Sequence, residues 1–248
     1  MNDNLVITIL AAGEGKRMKS DIPKVLHFFE DKPMLVRILE TSFKLNPSKI
    51  IVIAGKYYDL IKTTLAEYFY LESSIIEFVI QKEPLGTGDA IRCCLPLYDK
   101  NDKVLILNGD MPLINKDILE KFIINGDKYD INILIAKLEN SFGYGRIILN
   151  EQNEFMEIIE EKDCNEKQKE IKLINSGLYF ITSKLLQMFI PYIENVNVQK
   201  EYYLTDIVKI IKQKTNKIVN TYLIDESENK IICGVNTQEE LSNLQKLL

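Results

Sequence analysis

The sequence has one histidine, His27, and four cysteines, Cys93, Cys94, Cys164 and Cys233, with no C-x-x-C pair among them. A Ser-His-Asp or Cys-His mechanism would have to rest on His27, because the nucleophile needs a base within hydrogen-bond reach. A zinc site and a disulfide framework both lack ligands at suitable spacing, so a reducing compartment and a cytoplasmic location are expected. No run of Lys and Arg occurs, and the formal net charge is −5. That argues against nucleic acid as a partner, since a phosphate backbone calls for clustered positive charge. A small polyphosphate needs only a few placed cations. No apolar stretch approaches the ~20 residues that span a bilayer, so no membrane partner is expected. The run from Leu5 to Ala12 is short, has no basic residue before it, and reads as a buried first strand. Linkers rich in Pro, Gly or Ser, internal repeats and low-complexity tracts are also missing.

What remains is 248 residues, 46% hydrophobic and 27% charged, enough for one large α/β domain or two small ones. Strand-like and helix-like runs alternate. Leu5 to Leu10, Ile50 to Ala54, Ile75 to Ile80 and Val104 to Leu107 read as strands. A helix opened by Pro33 and helices over Tyr58 to Phe69 and Gly88 to Leu97 lie between them. This order predicts a Rossmann-like, mostly parallel mixed sheet with helices on both faces. After about Ile131 the alternation loosens. Strands are expected over Ile131 to Leu138, Gly145 to Leu149, Phe155 to Ile159, Leu173 to Ile181 and Ile218 to Ile224, with helices near Ser183 to Ile190 and Leu204 to Lys212.

Ligands of such sheets bind beyond the carboxyl ends of the strands. The loops there are Ala11-Ala12-Gly13-Glu14-Gly15-Lys16-Arg17 after the first strand, Gln81 after the third and Asn108-Gly109-Asp110 after the fourth. Small residues let backbone N–H groups approach an anion, and Arg17 and Lys24 add charge. Two common phosphate motifs fail: Met18 stands where a dinucleotide fingerprint needs Gly, and Leu10 and Arg17 break a Walker loop. The G-x-G alone is also compatible with a plain strand-to-helix turn.

The stretch Leu10 to Arg17, followed by Ser20-Asp21-Ile22-Pro23-Lys24, resembles the signature of sugar-1-phosphate nucleotidyltransferases. Gln81-Lys82-Glu83-Pro84-Leu85-Gly86-Thr87-Gly88 and Asn108-Gly109-Asp110-Met111-Pro112-Leu113 follow in order. So do Gly143 to Ile147, Ile159 to Asp163, Ile174 to Gly177, Glu201 to Asp206 and Gly234-Val235-Asn236. As a set they resemble the uridyltransferase domain of bacterial N-acetylglucosamine-1-phosphate uridyltransferases, from about Leu5 to Leu241.

The resemblance implies a glycosyltransferase-A-like nucleotidyltransferase fold, with a nucleotide-binding part over about 1–130, a sugar-binding lobe over about 131–236 and a terminal helix over 237–248. It implies UTP and N-acetylglucosamine 1-phosphate as substrates and Mg²⁺ as cofactor. The backbone of Ala11, Ala12 and Gly13, with Gln81, would hold uracil and ribose, and Gly86 and Thr87 would close on the base. Arg17 and Lys24 would bind phosphates, and Asp110 and Asn236 would hold the metal, so Arg17, Lys24 and Asp110 are the expected catalytic groups. Gly145, Glu160, Asn175 and Thr205 would bind the sugar and its N-acetyl group, with Tyr203 lining the pocket.

Other readings of these residues stand beside that one. Asp110 suits a turn or a helix N-cap, Asn236 a cap before the last helix, and Glu160 a solvated carboxylate. Asn108 and Pro84 replace the Tyr and Gln common in the bacterial family, close to the nucleotide, which leaves another base or another sugar 1-phosphate open. A nucleotide-sugar sensor without catalysis is a further class. The bacterial enzymes' second half, a β-helix that acetylates glucosamine 1-phosphate, has no counterpart among these 248 residues, so uridylyl transfer alone is expected. The sequence gives no oligomeric state.

Overall fold

The computed structural model describes residues 4–71, 75–152 and 154–247. In chain order the strands are β1 (Leu5–Leu10), β2 (Phe28–Phe29), β3 (Lys32–Pro33), β4 (Lys49–Ala54), β5 (Ile76–Ile80), β6 (Lys103–Asn108), β7 (Ile131–Lys137), β8 (Gly145–Leu149), β9 (Phe155–Ile159), β10 (Leu173–Thr182) and β11 (Val219–Leu223). The helices are α1 (Met34–Phe43), α2 (Tyr58–Ala66), α3 (Thr87–Cys94), α4 (Lys116–Gly126), α5 (Glu166–Lys169), α6 (Ser183–Phe189), α7 (Asp206–Lys214) and α8 (Gln238–Gln245).

The large sheet follows the path β11-β7-β10-β6-β1-β4-β5, with β8 and β9 paired off the side of β10. Along the path only β10 runs against the others, so the sheet is mixed and mostly parallel. The register of β10 breaks between Asn175 and Tyr179. Before the break β10 pairs with β8, and after it with β6. A bulge re-aims side chains at such a point, and this one lies at the carboxyl end of β6, where Asn108 closes the strand.

Alternation along β1 divides the core in two. Leu5, Ile7 and Ile9 pack with Leu35, Ile38 and Leu39 of α1, Ile61 and Leu65 of α2, and Leu119 and Phe122 of α4. Val6, with Ile51 and Ile53 of β4, meets Ala90 and Ile91 of α3, Leu186 of α6, and Ile207 and Ile211 of α7. Helices therefore cover both faces, as expected of a largely parallel sheet, because the crossovers between parallel strands lay helices on its faces. A third, small cluster joins Met18, Phe29 and Met34 to Val235 and to Leu244 of α8, which fastens α8 against the loop after β1.

Several boundaries differ from the sequence expectation. The helix expected to reach Leu97 stops at Cys94 and tightens into a 3₁₀ turn over Leu95–Leu97, because Pro96 cannot donate an N–H to the preceding turn. The helix expected from Leu204 starts at Asp206, and Leu204 N–H is bonded to Thr87 Oγ1 at 3.0 Å in the turn before it. The β2–β3 hairpin and helices α4 and α5 were not expected at all. The terminal helix ends at Gln245, and Leu248 lies outside the described residues. Among the described residues no helix is long and apolar enough to cross a membrane.

Candidate active site

The loop after β1 turns back beneath itself. Ala11 extends the ladder by donating to Ile53 O at 2.9 Å and is buried in the core. Gly15 has φ +62°, and a Cβ there would stand 2.7 Å from Lys24 Cβ, so only glycine lets the two stretches of backbone come this close. Glu14 pairs with Lys16 at 2.7 Å and Lys56 at 2.9 Å. Hydrogen bonds from these two ammonium groups lower its pKa to about 2, which keeps the loop tied to the residues after β4.

The same turn delivers Lys24 to the end of β6. Lys24 Nζ donates to Asp110 Oδ2 and, at 2.9 Å, to Asn236 Oδ1. Val235 N–H donates to Asp110 O at 3.0 Å, which fixes the two loops relative to each other. Neither oxygen donor is a helix cap. Asn115 caps α4 by accepting from Ile118 N–H at 3.1 Å, and Thr237 caps α8 by accepting from Glu240 N–H at 3.1 Å. Asp110 and Asn236 thus converge on a single cation, here the lysine's own ammonium. No group of three or more His, Cys, Asp and Glu gathers for a metal among the described residues.

Gln81 follows β5 and is buried, with its side-chain Nε2 donating to Gly86 O at 3.0 Å and Asp89 Oδ2 at 2.9 Å. Gly86 has φ +112°, and a Cβ would stand 2.6 Å from Tyr202 O. This contact belongs to a zipper between the loop before α3 and the segment before α7: Tyr202 N–H donates to Leu85 O at 2.8 Å, and Gly88 N–H donates to Tyr202 O at 2.7 Å.

That segment carries Thr205, whose Oγ1 donates to Glu160 Oε1 at 2.9 Å. Glu160 is half-buried, and burial pushes its pKa up, against the lowering effect of the Thr205 hydroxyl. A Cβ on Gly145 would lie 3.5 Å from Glu160 Oε2 and 3.7 Å from Asn175 Cβ, so β8 brings bare backbone to these two side chains. Asn175 is oriented at both ends, donating to Tyr179 Oη at 2.8 Å and accepting from Gly177 N–H at 3.1 Å. Beneath them Arg146 is 1% exposed and pairs with Glu161 at 2.6 Å, while Glu161 also accepts from Gly143 N–H at 3.1 Å.

Two adjoining cavities result. One, of about 490 Å³, is lined by Ala12, Gly13, Arg17, Lys24, Gln81, Gly86, Thr87, Asn108, Asp110 and Asn236, with Glu14, Pro84 and Glu201. The other, of about 630 Å³, is lined by Gly145, Glu160, Asn175 and Thr205, with Phe142, Tyr144 and Leu244. Arg17, Thr87, Asn108, Asp110 and Asn236 line both. Two of the expected site residues stand apart. Ala11 lines neither cavity, and Tyr203 faces a separate one of about 520 Å³ beside Asp163 and Asp206. His27 lines neither of the two. Asp89 and the Arg146–Glu161 pair join the site without a sequence signal of their own, although each lies in or next to one of its segments.

Residues 7–174 match the MobA-like NTP transferase domain family. A protein of Acanthamoeba polyphaga mimivirus named "Probable UDP-N-acetylglucosamine pyrophosphorylase" is 44% identical over 253 residues, covering 100% of this chain and 97% of that one. The bifunctional protein GlmU of Francisella tularensis subsp. novicida is 41% identical over 243 residues, covering 98% of this chain and 51% of its own length, so the chain spans about half of that relative. Among solved structures, a UDP-glucose pyrophosphorylase complexed with UDP-glucose superposes with a TM-score of 0.75 at 18% identity, covering 98% of this chain and 97% of the other, which speaks for the fold alone. By sheet order, by the loops at the strand ends and by these relatives, the chain belongs to the UDP-N-acetylglucosamine pyrophosphorylase family of MobA-like NTP transferase-domain proteins.

Proposed function

We propose that the protein transfers a uridylyl group from UTP to N-acetylglucosamine 1-phosphate, forming UDP-N-acetylglucosamine and pyrophosphate. The observation that carries this reading is the meeting of the two cavities at Arg17, Asp110 and Asn236. A reaction joining two phosphorylated substrates needs cationic and metal-holding groups at that boundary. The 490 Å³ cavity, built mostly by residues before about 130, would take the nucleotide, with Gln81, Gly86 and Thr87 at the base and Ala12 and Gly13 backbone along the ribose. The other, built mostly by residues of about 131–236 and flanked by the terminal helix, would take the sugar on Gly145, Glu160, Asn175 and Thr205. Ala11 would act through the position of its neighbours, and Tyr203 from behind Thr205.

Mg²⁺ suits this site: a carboxylate and an amide oxygen already converge on one cation, and magnesium commonly takes one or two protein oxygens plus phosphates and water. When bound, it would neutralise phosphate charge during in-line displacement. Asp110 and Asn236 would hold it, while Lys24, released from Asp110, and Arg17 would hold the triphosphate. The attacking phosphate oxygen of the sugar is already ionised near neutral pH. No general base is needed, which fits a site without histidine; positioning and charge carry the reaction. Pyrophosphate release across UTP, CTP, GTP and dTTP, each with N-acetylglucosamine 1-phosphate and glucose 1-phosphate, tests the reading. Release with UTP and N-acetylglucosamine 1-phosphate above the other pairs is expected; a preference for another pair replaces the assignment.

A further inference from the structure

We propose that Asp89 is a positioning residue that sets base selectivity by fixing which end of the Gln81 amide faces the nucleotide; this rests on the reading of Gln81 as a base-contacting residue. A primary amide offers two N–H donors at one end and one acceptor oxygen at the other. Both Nε2 partners, Gly86 O at 3.0 Å and Asp89 Oδ2 at 2.9 Å, can only accept. The orientation of the amide therefore follows from chemistry: reversing it would press oxygen against two oxygens. Both donors are engaged, and Oε1 is what remains for the cavity that Gln81 lines.

Asp89 is itself held. Its side chain is 15% exposed, and Arg92 Nη1 lies 3.6 Å from Oδ1. The Arg92 guanidinium stands 4.5 Å from the Tyr202 ring centroid, on the segment that zips to Gly86 and Gly88. The line Tyr202–Arg92–Asp89–Gln81 fixes an acceptor that points at a base.

An acceptor on the wall asks for a donor on the ligand. Uracil and thymine present N3–H; cytosine presents an N3 lone pair. Asp89 thus separates UTP from CTP and is blind to the difference between UTP and dTTP. The bland role for Asp89 is helix stabilisation, as an acidic residue in the first turn of α3. That role would alter stability without moving a ratio between nucleotides.

The test measures kcat/KM and calorimetric Kd for UTP, CTP and dTTP in wild type, Asp89→Ala and Asp89→Asn. In Asp89→Ala only Gly86 O still holds the amide, and the UTP-to-CTP ratio is expected to fall roughly tenfold, the worth of one charge-assisted hydrogen bond, while UTP-to-dTTP stays put. Asp89→Asn keeps an acceptor oxygen and is expected to stay within about threefold of wild type. Asp89→Ser, too short to reach the amide but favoured near a helix start, serves where the alanine variant folds poorly. In a Gln81→Ala background, Asp89→Ala should leave the ratio where it is. An unchanged UTP-to-CTP ratio in folded Asp89→Ala or Asp89→Ser, or a further fall in the Gln81→Ala background, overturns the inference. A wild type without preference for UTP over CTP overturns the base-site reading itself, and this inference with it.

Discussion

Lys24 and Asp110 face each other across the join of the two cavities, the ammonium donating to the carboxylate oxygen Oδ2 while Asn236 Oδ1 lies 2.9 Å from the same nitrogen. The lysine therefore occupies the place where a divalent cation would sit between those two oxygens. Metal alone has to displace it, whereas a triphosphate draws it away. Lys24→Met is expected to tighten Mn²⁺ binding to the nucleotide-free protein by roughly tenfold or more, since two cations a few ångströms apart repel by several kcal/mol even at a screened dielectric. Electron paramagnetic resonance of free Mn²⁺ reads this directly. Equal or weaker Mn²⁺ binding in the variant would show that the two cations do not compete.

Removing the charge on the other side gives a different signature. Asp110→Asn should keep its fold, because Val235 N–H bonds to the backbone oxygen of this residue and not to its side chain. Turnover should fall on the order of 10²-fold or more, the usual scale for losing charge stabilisation of a transition state. Circular dichroism and pyrophosphate release on the same sample check both halves; a folded variant with ordinary turnover contradicts the assignment.

Glu160 predicts a pH dependence. Burial, followed by the neighbouring carboxylates Asp206, Asp163 and Glu201, raises its pKa above the usual glutamate range. The folded protein thus holds this proton more tightly than the unfolded chain does. Its contribution favours folding at low pH and is lost as pH rises through the raised value. Sugar binding has the opposite interest, because a carboxylate accepts from hydroxyls better than a carboxylic acid. KM for the sugar phosphate is expected to rise on the acid side at a higher pH than an ordinary glutamate would give. Glu160→Gln should flatten that limb. A KM profile identical in wild type and Glu160→Gln would dissociate Glu160 from the sugar.

The Arg146–Glu161 pair concerns stability. Arg146 is 1% exposed, and removing Glu161 leaves a guanidinium charge in the interior without its partner. Glu161→Ala should destabilise by about 3 kcal/mol in urea unfolding, whereas Arg146→Met together with Glu161→Ala should recover most of the loss, because breaking one half of a buried pair costs more than replacing both. Additive losses would place the pair's value elsewhere.

The parallel part of the fold is legible in the sequence because its strands are continuous apolar runs. Leu5 to Leu10 is a strand in both readings, and β4, β5 and β6 differ from expectation by at most one residue at either end. Helix α4, not among the expected elements, carries the same kind of signal: Asn115 as cap, then Ile118, Leu119, Phe122 and Ile123 at helical spacing. The β2–β3 hairpin is too short to carry a period. Among site residues, the charged loop groups stood out by type and position. Asp89 did not, since an acid in the first turn of a helix looks like ordinary dipole compensation until Gln81 is found beside it. Tyr203 and Ala11 sit beside site residues in sequence without sharing their cavities: the chain has already turned helical at Thr205 (φ −57°, ψ −29°), so Tyr203 faces a separate cavity, and strand pairing consumes the Ala11 N–H.

The bond from Lys24 to Asn236 spans 212 positions. During synthesis at ~5–20 residues per second, the phosphate loop leaves the ribosome many seconds before its last oxygen partner is made. Until then the lysine has only Asp110, and the cluster of Met18, Phe29 and Met34 lacks the cover that Val235 and Leu244 provide. A nascent chain stalled short of position 236 can hold most of the sheet yet remain unable to enclose a nucleotide. Activity should therefore switch on as a step once Val235, Asn236 and the α8 segment have emerged, and contacts this distant in sequence should form late in refolding as well.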